Sequence, residues 1–226
     1  FEASHDDILS ATMTSLAGKL HQKMQSTISA CAVEAAEAIA MESNGNVVAD
    51  PTRVKVITRT GPALEESKLI TGLALSKKRA HVEMPSSLGA GSVLLVDGGL
   101  ELRSLSTDVQ LNVTSTSVLQ SFRDAEQQRL LDQVKMLVDL DVTLLACREG
   151  IDDSMHAHLA EAGIKAFRRV AKSDLELLAR GCGARLVPSI HQAKKKDVGV
   201  FISSICERWG DVDHWILETD EGGATF

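Results

Sequence analysis

The side chains best suited to chemistry lie close together, where two carboxylates precede two histidines. Asp152 and Asp153 stand at the predicted start of a helix, where acidic residues stabilise the positive end of the helix dipole without any catalytic role. His156 and His158 are two residues apart, which is about 200° around a helix axis, so their rings diverge. We therefore predict surface or capping histidines, and neither an acid–base pair nor a metal site.

The glycine-rich stretches do not form a phosphate-binding loop. Such a loop lies between a strand and a helix, so that backbone N–H groups at the helix start point at the phosphate. Gly89 and Gly91 instead precede a predicted strand, and Gly98-Gly99 lacks the other glycines of a nucleotide-binding fingerprint. The sequence also has no serine-hydrolase elbow and no zinc-protease motif. We expect no cofactor in this chain.

One lysine and four cysteines complete the candidates. Lys19 follows Gly18 in a predicted turn, where it is either a solvated surface residue or a cation that reaches another module. Spacing alone favours the solvated residue. The cysteines have no C-x-x-C spacing and sit among apolar or small neighbours: Cys31, Cys147, Cys182 and Cys206. We predict buried free thiols rather than disulfides or a metal site.

The composition is that of an ordinary globular chain with an acidic balance. The 226 residues carry 24 Lys and Arg against 31 Asp and Glu, a net charge of −7, and only 3% are aromatic. The negative charge and the few stacking side chains argue against nucleic acid as a partner. The sequence has no long apolar run for a membrane span and no signal-peptide pattern. We expect one enlarged domain or two small ones, in the cytoplasm and without a membrane partner.

Hydrophobic periodicity predicts an α/β chain with a helical N-terminal part. Residues 8–41 follow a helical pattern with a break near Gly18. Residues 142–187 alternate strand, helix, strand, helix and strand, which suits a parallel layer. The other predicted elements are strands at 53–57, 70–75, 92–96 and 108–113 and a long helix at 117–139. For residues 198–206 the pattern leaves helix and strand open.

A long ordered series of residues resembles the apical domain of group II chaperonins, the thermosome and eukaryotic cytosolic type. The matching stretches are Gly150-Ile151-Asp152-Asp153 after Cys147, the run from Leu159 to Ala179, and Gly183-Ala184-Arg185-Leu186-Val187. Upstream, Glu66 to Leu75 and His81-x-x-Met84-Pro85 are similar to the strand pair that opens this domain. Thr14-Ser15-Leu16-x-Gly18-Lys19 and Ala32-Val33-Glu34-Ala35 resemble the descending half of the intermediate domain.

This resemblance implies both a fold and a domain division. The fold is the chaperonin apical-domain α/β layers with a helical protrusion at about 117–139, plus a helical N-terminal segment. Residues 1–59 would be the intermediate-domain portion and residues 60–226 the apical domain. Gly61-Pro62-Ala63 departs from the usual Gly-Gly-Ser, and residues 191–226 match poorly. The nucleotide-binding equatorial domain is absent from the sequence, so we expect a fragment that is not an enzyme by itself, with ATP and Mg²⁺ bound by the full-length parent.

The resemblance also implies where the chain acts. Family apical domains bind non-native polypeptide, which places client contacts at Leu119 and Phe122 on the protrusion and at Leu175, Leu178 and Ala179 on a cavity-facing helix. The alternative that Leu119 and Phe122 pack into the core stays open.

The remaining implied contacts lie beyond the apical domain. Neighbouring chaperonin subunits in a ring are the other expected partners, and a lysine in the position of Lys19 senses the γ-phosphate in the full-length family. Two further functions also stay open: a free-standing α/β enzyme that reuses the apical layer, and a monomeric interaction scaffold.

Overall fold

The N-terminal part of the chain is a pair of helices followed by a small hairpin. The computed structural model describes residues 4–43, 45–58, 63, 66–100, 116–219 and 224–225. Helices α1 (His5–Leu16) and α2 (Gln22–Ala38) flank a turn at Gly18, whose φ of 74° suits glycine. Strands β1 (Ala40–Ser43) and β2 (Asn46–Ala49) then pair antiparallel. The predicted break in the helix is confirmed, but the helix ends earlier than expected because residues 40–43 pair as a strand.

A mostly parallel sheet forms the centre of the remaining chain. Its parallel members are β6 (Gly91–Val96), β7 (Leu144–Cys147), β8 (Lys165–Phe167) and β9 (Leu186–Val187), and β10 (Gly199–Phe201) joins antiparallel. Helices α4 (Asp153–Glu161) and α5 (Lys172–Cys182) supply the crossovers that parallel neighbours require. The predicted alternation of strands and helices is therefore confirmed.

The central strand β6 is buried on both faces. Val93 and Leu95 belong to one apolar cluster, while Leu94 and Val96 belong to another. Successive side chains of a strand point to opposite faces, so a strand covered on both sides needs a continuous apolar run. The Val-Leu-Leu-Val run meets that requirement and explains why the sheet is the middle layer.

Helices cover one face of this sheet. The long helix α3 (Thr116–Asp139) packs beside α4 and contributes Leu130, Val134 and Leu137 to the core. These three residues follow one another at steps of four and three, the spacing of one helix face.

A second sheet and α5 cover the other face. The second sheet has the order β3 (Val54–Lys55), β13 (Ala224–Thr225), β4 (Ile70–Leu75), β12 (Val212–Glu218), β11 (Ser203–Trp209) and β5 (Ser87–Leu88). The rings of Phe167 and Trp215 stack between the sheets, with centroids 3.8 Å apart.

Two sequence predictions are revised or resolved by this architecture, and a third falls on residues that the structure does not describe. The strand expected at 53–57 is shorter, because Pro51–Arg53 form a 3₁₀ turn and only β3 follows. Residues 198–206, left open by the sequence, enter strands β10 and β11. The strand expected at 108–113 lies outside the described residues.

Candidate functional site

Leu175 and Leu178 of α5, which we expected to contact clients, lie in the core instead. Their exposed fractions are 0% and 2%, and they belong to the cluster that contains Phe167 and Trp215. The expectation that these leucines are exposed is wrong, because residues three apart share one helix face and this face packs on the sheets. Burying each leucine contributes about 1.5–3 kcal/mol, which favours this packing over a free apolar face.

The solvent side of α5 is polar. Ser173, Glu176 and Arg180 are exposed and lie on one face of the helix. Ala179 is partly buried against the core cluster, so only part of its small side chain is accessible. A molecule docking on α5 therefore meets mainly a hydroxyl, a carboxylate and a guanidinium group.

Helix α3 presents apolar residues on the side away from the core. The side chains of Leu119 and Phe122 lie outside the described residues. Further along the helix, Leu131 is 39% exposed and Val138 is 50% exposed. Seven residues separate them, which is two helix turns, so they lie on the same face with Lys135 between them. The sequence analysis missed this pair. Both residues lie outside the buried helix face formed by Leu130, Val134 and Leu137, and their spacing relative to that face can be read from the sequence.

Lys19 lies in the turn between α1 and α2 and is exposed. Its backbone N–H donates a hydrogen bond to the carbonyl of Leu16 at 3.1 Å, next to the left-handed Gly18. The predicted site residues therefore fall in three different elements: the α1–α2 turn, α3 and α5.

The two histidines of α4 differ from each other. His158 is half-buried, but His156 is buried, so the prediction of a surface histidine at 156 is wrong. The imidazole Nδ1 of His156 lies 3.5 Å from Asp153 Oδ1, and burial lowers the pKa of His156. His156 is buried because it lies next to Met155 on α4, and the helix face that carries Met155 and Leu159 packs into the core.

The acidic residues at the start of α4 act as predicted. Asp152 is the N-cap residue, and its carboxylate accepts hydrogen bonds from the Ser154 backbone N–H at 2.9 Å and from its hydroxyl at 2.6 Å. These bonds lower the pKa of Asp152 because they favour the charged form. The Asp152 carboxylate therefore serves as the N-cap of α4.

The cysteine prediction is confirmed. All four are free, with Cys31, Cys147 and Cys182 buried and Cys206 half-buried. Burial raises the pKa of the Cys182 thiol to about 12, so it is not a nucleophile near neutral pH. Within the described ranges, no group of three or more His, Cys, Asp or Glu side chains could hold a metal ion. The helices of that same part of the chain include none with the length and apolar character of a membrane span.

Comparison with solved structures defines the class of fold. The chain is similar to a structure described as the open state monomer of a group II chaperonin from Methanococcoides burtonii. The TM-score is 0.73 and the identity 22%, and the match covers 98% of this chain and 50% of the other. The α/β layers described above therefore have the same fold as about half of that structure.

Sequence comparison gives the family. The model of the TCP-1/cpn60 chaperonin family matches residues 1–225, so this chain belongs to that family. It is 32% identical over 201 residues to a thermosome subunit of Pyrococcus horikoshii, covering 88% of this chain and 37% of the relative. It is 33% identical over 195 residues to the thermosome subunit beta of Archaeoglobus fulgidus, covering 86% and 36%. The chain thus spans little more than a third of the length of these curated relatives.

Proposed function

We propose that this chain is the client-binding and lid portion of an ATP-driven chaperonin that assists protein folding in the cytoplasm. The observation that carries the proposal is the family match over residues 1–225. Within it, residues 1–59 would be the intermediate-domain portion and residues 60–226 the apical domain. The full-length parent would bind ATP and Mg²⁺, assemble with neighbouring subunits in a ring and hydrolyse ATP outside this chain.

Client contact is assigned to the outer α3 surface, which we define as Leu131, Lys135 and Val138. Leu119 and Phe122, earlier on the same helix, extend the proposed contact, and Ala179 adds a small apolar contribution from α5. The exposure of Leu131 and Val138 supports this assignment, since moving exposed apolar side chains out of water into a contact with a client lowers the free energy. Hydrophobic burial is non-directional, so such a surface accepts many unfolded sequences.

Affinity in this proposal comes from several subunits acting together. A few side chains contribute little each, at about 25 cal/mol per Å² of buried apolar area. Neighbouring copies in a ring raise the effective concentration of further contacts once a client is held by the first. A single chain is therefore expected to bind clients weakly and reversibly.

The test is suppression of aggregation of a chemically denatured protein by this chain. We expect Val138→Asp and Leu131→Asp on the outer α3 surface, and Phe122→Asp earlier on the same helix, each to weaken suppression, because a carboxylate opposes apolar docking. Val47→Asp is the matched control, since Val47 is 77% exposed but lies on β2. Equal suppression by the parent, the three α3 variants and the control would contradict the assignment.

Lys19 is proposed to sense the γ-phosphate in the full-length parent. A lysine ammonium beside a transferred phosphate stabilises the developing charge, and its exposed position in the α1–α2 turn leaves it free to approach another domain. Lys19→Ala in the full-length protein should uncouple ATP binding from lid closure, measured as protease protection of the protrusion. Lys23→Ala, an exposed lysine on α2, is the control and should close normally.

A further inference from the structure

Ser76 and His214 form a hydrogen-bonded pair that the chaperonin function does not use. Ser76 directly follows β4, and His214 lies on β12. The two strands pair with Leu75 opposite Trp215, so the next step of that register places Ser76 opposite His214. The Ser76 Oγ lies 3.1 Å from the His214 Nε2. The two residues are 138 positions apart, so no local sequence signal announces them.

The hydrogen-bond network assigns the tautomer of His214. Its Nδ1 lies 3.1 Å from the carbonyl oxygen of Val212. A carbonyl only accepts, so Nδ1 carries the hydrogen and donates it. In the neutral ring Nε2 is then the basic nitrogen, and it accepts the hydrogen of the Ser76 hydroxyl. This is the arrangement in which an imidazole activates a hydroxyl nucleophile.

Neighbouring side chains hold the imidazole in place. The indole ring of Trp209 stacks on His214 with centroids 4.3 Å apart and an interplanar angle of 26°. The Trp209 Nε1–H in turn donates to Glu207 Oε2 at 2.9 Å. Glu207 lies opposite His214 in the β11–β12 pairing. Strand β12 therefore lies between β11, which carries Glu207, and β4, which Ser76 follows. The base is thus fixed by a carbonyl, a stacked ring and a neighbouring strand.

The burial of the two groups also suits a nucleophile and its base. His214 is only 3% exposed, so water competes little for its ring nitrogens. Ser76 is exposed, in a bend at the end of its strand, so a reagent can reach its hydroxyl. A shielded base beside an accessible nucleophile, with the base oriented by a third group, is the pattern of nucleophilic catalysis.

We propose that Ser76 is an acyl-accepting nucleophile and that His214 is its general base, with small activated esters as the substrate class. The Ser76 Oγ forms a bond to the ester carbonyl carbon while His214 Nε2 takes the hydroxyl proton. The bond from that carbon to the leaving oxygen then breaks, and His214 returns the proton to the departing alcohol. The products are an O-acyl Ser76 and one alcohol. Water then attacks the acyl carbon while His214 Nε2 takes a proton from it, the bond from that carbon to Ser76 Oγ breaks, and His214 gives the proton to Oγ as the carboxylic acid leaves.

The experiment uses p-nitrophenyl acetate with this chain. We expect a burst of p-nitrophenolate approaching about one equivalent per chain, followed by slower turnover, which is the signature of an acyl-enzyme. Peptide mapping should place the acetyl group on Ser76, and hydroxylamine should remove it, because hydroxylamine cleaves esters and leaves lysine amides intact.

Two variants and one control decide the proposal. Ser76→Ala should abolish the burst, and its urea midpoint, compared with that of the parent, checks that the variant is folded. His214→Gln should slow acylation about a hundredfold, the lower end of what a positioned general base contributes. Ser203→Ala should react like the parent, since the Ser203 hydroxyl donates to Glu218 and not to an imidazole.

Acetylation confined to Lys77, Lys78 or other amines, with Ser76→Ala reacting as fast as the parent, would overturn the proposal. The same holds if His214→Gln is acylated as fast as the parent, because the proposed general base would then contribute nothing. Neither result touches the chaperonin assignment, because the ester assay and the aggregation assay probe different residues.

Discussion

The ammonium Nζ of Lys55 lies 2.5 Å from the Asp174 carboxylate, and this contact joins β3 to the first turn of α5. The two residues are 119 positions apart. The side chains are 26% and 16% exposed, so solvent screens the pair only partly. Asp174 also lies in the first turn of α5, where the positive end of the helix dipole stabilises a negative charge. The N-terminal part of the chain is thereby connected to the helix that covers the second face of the central sheet.

A double-mutant cycle tests this connection. Lys55→Ala and Asp174→Ala should each destabilise the chain, and the double variant should lose less than their sum. We expect a coupling energy of about 1 kcal/mol. This is the upper end of the range found for exposed ion pairs, and we expect it because the Lys55–Asp174 pair is partly buried. Urea unfolding of the four proteins measures it. Strictly additive losses would mean that the two charges do not interact in solution.

Truncating Leu175 tests whether it is a core residue. Leu175→Ala should lower the free energy of unfolding by about 3 kcal/mol, since it removes buried methyl groups and leaves a cavity. Glu176→Ala, at the neighbouring exposed position, should change it by no more than about 0.5 kcal/mol. A loss below about 1 kcal/mol for the leucine variant would show that α5 does not pack as described.

Lys165 on β8 is a fully buried lysine bonded to neutral groups. Its exposed fraction is 0%, and its Nζ donates to the carbonyl of Ser86 at 2.9 Å, the carbonyl of Ser204 at 2.9 Å and the hydroxyl of Ser204 at 3.2 Å. Burial lowers the pKa of Lys165 below its ordinary value of 10.5. The folded state therefore releases this proton at a lower pH than the unfolded state does.

The stability of the chain should accordingly rise with pH through the window between the lowered pKa of Lys165 and 10.5. Below that window both states hold the proton, and the cost of burying the charge is present in full. Lys165→Met should remove this rise, while Lys172→Met, at an exposed position, should keep it. Urea midpoints measured across the window report the slope. A parent protein whose stability changes with pH across this window in the same way as that of Lys165→Met would contradict the prediction.

His156 should make the chain sensitive to acid. Burial is the largest cause of its lowered pKa, followed by the Arg168 charge, while Asp153 acts in the opposite direction and His81 adds a further lowering. The folded state thus resists protonation more than the unfolded state, whose histidine titrates near 6.5. The stability that the neutral ring contributes is present above 6.5 and is lost as the pH falls through the folded pKa.

The comparison of two histidine variants isolates this effect. Between about pH 7.5 and about pH 5, His156→Gln should lose less stability than the parent, measured by urea midpoints. His158→Gln, on the same helix but half-buried, should lose as much as the parent. An identical acid response in all three proteins would show that His156 is not the group responsible.

Much of the fold was predictable because it follows from hydrophobic patterns among residues close together in the sequence. The Val-Leu-Leu-Val run of β6 required cover on both faces, and two apolar clusters supply it. The alternation of strands and helices after Val142 required crossovers and therefore a parallel sheet. The cysteines, with apolar neighbours and no paired spacing, are free and mostly buried. In each case the information lies within a few neighbouring residues.

The proposed client-binding surface was less predictable, since periodicity shows which residues share a helix face but not whether other elements cover that face. Leu175 and Leu178 share a face, and only the packing of α5 on the sheets buries it. Leu131 and Val138 also share a face, and the structure leaves that one in solvent.

Sequence by itself determined the α/β class, the alternation of strands and helices over residues 142–187 and the family resemblance, because these depend on local pattern and on ordered motifs. Tertiary structure alone decided that His156 and Lys165 are buried and that Ser76 meets His214. Those facts depend on contacts between residues far apart in the chain, which strand pairing and layer packing create and which no local spacing encodes.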